Sequence, residues 1–161
     1  MRKFLLVGGL LAVSLVLTSQ AVAATTVPVS MTLAEPLKAG TPGNSVCPDI
    51  GIAVNCGSGE VRPFGHATEE VNIGVCGDTC NFREIDLAQG SIVLLETVNN
   101  FSCPGVCGSR SFGPPGTISI DDVVIGGTGI FAGATGTLSG TVGVGGWGGV
   151  VQLTGTIILN S

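Results

Sequence analysis

The sequence predicts an all-β protein, a single domain folded as one closed antiparallel β-barrel of about eight strands. Three observations lead there. Apolar and polar residues alternate with period two in one run after another, and helix signals are nearly absent. The 27 glycines keep no three-residue period, yet they recur inside the alternating runs. Six to eight short antiparallel strands would also suit a sandwich. The glycines favour the barrel, because glycine within a strand marks a bend or a close backbone approach, and a small closed sheet needs such corners. Closure also removes the sheet edges that a β-rich chain must protect. With 161 residues, 44% hydrophobic and 11% charged, the chain fits one domain and has no compositional reason to stay unfolded.

The first 23 residues read as a leader. Arg2 and Lys3 precede an apolar stretch over 4–17, and Ala21-Val22-Ala23 offers a small-x-small cleavage site, the pattern of a secretory signal peptide. Thr18, Ser19 and Gln20 interrupt the apolar run short of the roughly 18 residues a membrane-spanning helix requires, so no anchor is expected after cleavage. Loss of Arg2 and Lys3 takes the formal charge from −5 to −7. That balance disfavours nucleic acid and anionic membranes, both of which need a basic face. The expected organisation is therefore a signal peptide over 1–23, an N-terminal strand and disulfide loop over 24–58, and the rest of the same barrel over 59–161. The expected location is secreted or periplasmic.

The strands follow in order. Over 27–33, Val27, Val29, Met31 and Leu33 alternate with Pro28, Ser30 and Thr32, with the proline near the start where a missing donor is tolerated. The segment 35–48 is rich in Pro, Gly and small polar residues and reads as a surface loop. Over 65–75, Val71, Ile73 and Val75 share one face. The runs 82–87 and 91–98 form a hairpin about Gln89-Gly90, which sets Leu87 opposite Ile92, Ile85 opposite Leu94, and Arg83 opposite Glu96 as an ion pair. The run 117–125 is strand-like with an irregularity at Asp121-Asp122. The runs 137–144 and 150–159 close the chain, the last with Val151, Leu153, Gly155, Ile157 and Leu159 on one face. Glycines flanking Trp147 read as a hairpin connection.

All six cysteines, Cys47, Cys56, Cys76, Cys80, Cys103 and Cys107, follow the leader, and an even number in an exported chain reads as three disulfides. Local bridges (47 to 56, 76 to 80, 103 to 107) are favoured by turn residues inside two of the loops. The hairpin register also places Cys76 opposite Cys103, so a cross-strand bridge stays open. Cys76-x3-Cys80 and Cys103-x3-Cys107 resemble paired zinc knuckles, but structural zinc prefers other spacings and thiolates seldom stay reduced outside the cytoplasm, so no metal is expected.

The segment Gly126-Gly127-Thr128-Gly129-Ile130-Phe131-Ala132-Gly133-Ala134-Thr135-Gly136 resembles the GGTGxFAGAxG signature of the allene oxide cyclase-like and dirigent-like barrel superfamily, especially its small secreted bacterial members. An apolar strand before it and a Thr/Gly-rich strand after it fit the same pattern, and the likeness extends over most of 59–159. The resemblance implies an eight-stranded, calycin/dirigent-like barrel with an apolar interior. Activity does not carry over, since the chain has no Tyr and no catalytic residue of either branch aligns with it. Physically, Gly126, Gly127 and Gly129 around Thr128 permit a tight reversal, with Ile130 and Phe131 anchoring it in the core. A phosphate loop would need a helix N-terminus and a following Lys, and neither is present.

Candidates for chemistry are few. His66 and Glu70 would share one face of a strand while Glu69 points the other way, and a His with a carboxylate could serve as a general base; a solvated polar face explains the pair more simply. Asp121-Asp122 lacks the repeated oxygen ligands of a calcium loop. Glu96, among Ile92, Leu94 and Val98, would be a perturbed carboxylate if it faced inward, unless Arg83 pairs with it. Two function classes follow. One is a noncatalytic, disulfide-stabilised binding or structural module, able to hold a small apolar ligand if its own side chains leave the interior open. The other is a cyclase-like or isomerase-like enzyme for an apolar lipid-derived or phenolic substrate. No cofactor is expected for either.

Overall fold

The structure, a computed structural model, describes residues 23–36, 54–77, 79–102, 116–145 and 148–160. Eight strands, β1(Thr25–Pro36), β2(Val54–Arg62), β3(Gly65–Asn72), β4(Cys80–Leu87), β5(Gly90–Ser102), β6(Gly116–Gly127), β7(Thr135–Gly145) and β8(Gly148–Leu159), pair antiparallel in chain order. The first and last strands meet, in a register running from Thr25↔Leu159 to Pro36↔Gly148, and so close the barrel. There is no α-helix among the described residues; the one helical turn is a 3-10 turn, Gly129–Phe131, between β6 and β7. Residues 1–22, 37–53, 103–115 and 146–147, and with them Cys47, Cys103, Cys107, Trp147 and nearly all of the expected signal peptide over 1–23, lie outside the described residues. No described helix is long and apolar enough to cross a membrane.

Period-two alternation sorts the side chains. Val29, Met31, Leu33 on β1, Ile85 on β4, Ile92 and Leu94 on β5, Ile120 and Val124 on β6, and Val151, Leu153, Ile157 on β8 all point inward and are buried. The two ends differ. At the lower end, where Thr25 meets Leu159, connections are short (63–64, 88–89, 128–134), and Phe131 plugs the barrel with its ring edge-on to Phe64, centroids 4.9 Å apart. The upper end, where Pro36 meets Gly148, carries the 73–79 connection with Cys76, and Cys80 at the start of β4.

Glycines let the strands approach one another at the corners. A Cβ built on Gly140 would overlap the Gln152 carbonyl oxygen of β8, and the mirror case holds for Gly155 against the Thr137 carbonyl of β7. No side chain fits at either point, which is why these strands carry glycine among their β-branched residues.

Several expectations need correction. The hairpin pairs Leu87 with Gly90 and Ile85 with Ile92, so its two-residue turn is Ala88-Gln89, not Gln89-Gly90. Gly90 enters the ladder at φ +137, a conformation open to glycine alone, and thereby takes the first paired position. The slip preserves parity, so the same side chains face inward, and Arg83 lies opposite Leu94 with Glu96 on the diagonal. Asp121-Asp122 is regular; the register shifts fall instead between Val93/Leu94 and between Val98/Asn100. β3 stops at Asn72, so Ile73 and Val75 are exposed instead of continuing the Val71 face. In the signature turn Phe131 is buried but Ile130 is exposed, since a 3-10 turn sets consecutive side chains about a third of a turn apart. β2 was not legible as a strand: two of its inward positions are Gly57 and Gly59, leaving only Val61 as an apolar marker near its end.

Candidate functional site

The upper half of the interior is charged. Arg83 on β4 is 1% exposed, and around it stand Glu35 of β1, Glu69 of β3 and Glu96 of β5, all buried. Each reaches the interior by parity: Glu35 continues the Val29, Met31, Leu33 row, Glu69 lies between Ala67 and Val71, and Glu96 follows Leu94. All three guanidinium nitrogens are engaged. Its Nε and Nη2 donate to Glu96 Oε2 at 3.1 and 2.6 Å, and its Nη1 donates to Glu35 Oε1 at 3.0 Å and also to Glu69 Oε2. Planarity and five donors suit arginine to this three-way bridge, which a lysine could not span.

Asn81, one inward position above Arg83, extends the network. Its Nδ2 donates to Glu96 Oε1 at 2.6 Å, and its Oδ1 accepts from the Gly74 amide at 3.0 Å. Gly74 lies in the 73–79 connection, two residues before the Cys76–Cys80 disulfide, so the interior network is tied to the upper rim. That bridge is the local one; it excludes the cross-strand pairing of Cys76 with Cys103. Cys56 is disulfide-bonded too, and no described cysteine is free. Glycines make room for two of the carboxylates. Glu69 lies over Gly57, where a Cβ would collide with its Oε1, and Glu35 lies over Gly149, whose Cβ would sit 3.2 Å from Oε2.

Asp122 completes the set. It faces inward on β6, pairs across the ladder with Glu96, and is 1% exposed. Neither of its carboxyl oxygens has a hydrogen-bond partner, and Glu69 Oε1 has none. The described interior thus holds one guanidinium against four carboxylates. Burial pushes the Asp122 carboxyl up to about 7, helped by the charge on Glu96 and opposed by Arg83. Burial likewise raises Glu69 to about 7, against the pull of Arg83. Burial works to lower Arg83, but Glu69, Glu96 and Glu35 together override it and hold the guanidinium charged.

Glu96 is therefore both inward and paired with Arg83. The other sequence candidates lie elsewhere. His66 and Glu70 point outward from β3, and His66 Nδ1 lies 3.8 Å from Glu60 Oε1 on the exposed surface. In the signature turn, Thr128 Oγ1 accepts from the Ser91 amide at 2.9 Å, which fixes the turn to β5; Gly126, Gly127 and Gly129 serve that geometry, at the end opposite the charge cluster. Among the described residues no group of His, Cys, Asp or Glu is arranged to hold a metal ion. Comparison with protein families, with curated proteins and with solved structures gives no match for this chain.

A pH dependence of stability follows from Asp122 and Glu69. Both carboxyls bind protons more tightly folded than unfolded, where they have ordinary values of 3.8 and 4.5. Their stabilisation is thus fully present below those values and is lost as pH rises through about 7. The thermal midpoint is expected to fall between pH 5 and pH 8, by an amount corresponding to a few kcal/mol. Replacing both by Glu69→Gln and Asp122→Asn should flatten the profile. Melts followed by circular dichroism check this, and a midpoint that climbs with pH would contradict it.

Proposed function

We propose that the chain is an exported, noncatalytic structural or binding module, built as a barrel filled by its own side chains. One observation carries this reading. Glu35, Glu69 and Glu96, three of the four interior carboxylates, are turned on one another through Arg83. Below them Phe131, Ile85, Ile92 and Leu153 fill the barrel with the chain's own side chains. The signal-peptide pattern and the Cys76–Cys80 disulfide support a secreted or periplasmic location. Incubating the mature protein with a mixed lipid extract, repurifying it and analysing bound molecules by mass spectrometry tests the reading. No stoichiometric apolar compound is expected, and recovery of one would overturn the solid interior.

A second reading is favoured by Asp122 and Glu69, buried carboxyls with unpartnered oxygens that exchange protons near neutrality. Joined to the resemblance of 126–136 to the allene oxide cyclase-like and dirigent-like signature, they suit an isomerase or cyclase for an apolar lipid-derived or phenolic substrate. A compound recovered from the extract and then converted by the wild type, but not by Asp122→Asn, would establish that reading in place of the first.

A further inference from the structure

The cluster inside the upper barrel is unbalanced in a particular way. Arg83 and Asn81 on β4 and Glu96 on β5 form its hydrogen-bonded centre. Glu69 and Asp122 stand on the strands that flank this hairpin, β3 and β6. Glu69 keeps one oxygen on Arg83 and leaves the other without a partner, and Asp122 has no partner at all. We propose that the upper half of the barrel is a latch held shut by two exchangeable protons, one on Asp122 and one on Glu69, whose loss to solvent loosens β3 and β6 and opens the loop-bearing end. The latch operates whether or not the chain is a noncatalytic module.

Among the described residues, the surroundings of both groups leave no other counter-charge. Asp122 faces Glu96 of β5, Arg83 of β4 and Glu69 of β3, with Asp121 beside it on the outer face of its own strand. Across from it β7 presents Leu138 and β8 presents Gly155, neither of which carries charge. Glu69 faces Arg83, Glu35 of β1 and Glu96, while its β2 neighbour is Gly57. Among the described residues Arg83 is the one buried cation, and its donors are already shared among three carboxylates. A deprotonated Asp122 or Glu69 therefore adds negative charge beside negative charge in a poorly solvated space, and relief comes when the strand swings the carboxylate toward water. The response is confined to the upper end by construction. β3 and β6 are held below by short connections and the Phe131 plug, whereas above β3 ends at Asn72 in the exposed 73–77 segment and β6 begins at Gly116.

Amide hydrogen exchange at pH 5.5 and pH 8, corrected for the base-catalysed intrinsic rate, tests the latch on the wild-type protein. Protection over 69–72 and 116–122 is expected to drop about tenfold or more at pH 8, while protection over 85–94 in the lower hairpin holds, because local opening need not involve the rest of the barrel. Glu69→Gln combined with Asp122→Asn should keep the upper amides protected at both pH values. Carbon NMR of the wild-type carboxyl groups provides a measurement free of substitution, and Asp122 and Glu69 are expected to ionise within this range. Equal loss of protection at both ends, no loss at either, a double variant that opens like the wild type, or carboxyls fully ionised at pH 5.5 would each overturn the proposal.

Discussion

Replacing Arg83 with methionine is expected to be the most damaging single substitution in the barrel. The side chain keeps its length and apolar character, but Glu35, Glu69 and Glu96 lose their shared donor in the interior while Asp122 stays unpartnered. Removing one partner of a buried ion pair costs about 3–5 kcal/mol, because the remaining charge is left without compensation. Here three carboxylates are stranded by one change, so the loss belongs at the upper end of that range. Urea unfolding at pH 7.5 should show little or no folded baseline, with partial recovery at pH 5 as protons replace the guanidinium. A midpoint close to that of the wild type would mean that the cluster is solvated and not an interior feature. Adding Glu96→Gln to Arg83→Met should restore part of the lost stability, since it removes the carboxylate that made the most bonds to the missing group.

Phe131→Ala is the second large effect. The ring is completely buried at the lower end and meets Phe64 edge-on. Truncating a buried phenylalanine costs about 3–5 kcal/mol through lost transfer energy and the cavity left behind. The neighbouring strands cannot collapse to fill it, because the chain there is fixed by Phe131 N donating to the Thr128 carbonyl and by Thr128 held to Ser91. Chemical denaturation gives the loss directly. Ile130→Ala, one residue earlier and exposed, is the control and should cost little. If the two variants fall together, Phe131 is no plug.

The two substitutions also show where the sequence was informative. Barrel closure was readable from alternation and from glycines within strands, because both features come directly from the geometry of a small closed sheet. Phe131 reads as an anchor of the glycine turn, although Ile130, read the same way, is exposed; the Arg83/Glu96 pair holds despite the shifted turn because the shift preserves parity. The rest of the charge cluster was hidden by strand ends. Glu35 follows a clean alternating row, but the Pro/Gly-rich composition of 35–48 reads as a loop that includes it, whereas β1 runs on to Pro36 and turns Glu35 inward. Glu69 was placed on the opposite side from His66 and Glu70, without a reason to make that side the interior. Asp122 shares parity with Ile120 and Val124, yet two adjacent acids suggest a surface irregularity more readily than one acid out and one acid in. Long-range meeting of β1, β3, β4, β5 and β6 has no local signal; only closure brings Glu35 within reach of Arg83, 48 residues away.

The seam between β1 and β8 bears on how such a molecule is made. The two strands that complete the ring are the earliest and the latest of the eight to leave the ribosome, so the ring stays open until all eight strands are available. Nonlocal pairing of this kind is slow, and until it happens two unpaired margins invite wrong partners. A polypeptide whose last step joins its ends is well matched to passage across a membrane in extended form, with assembly deferred to the far side.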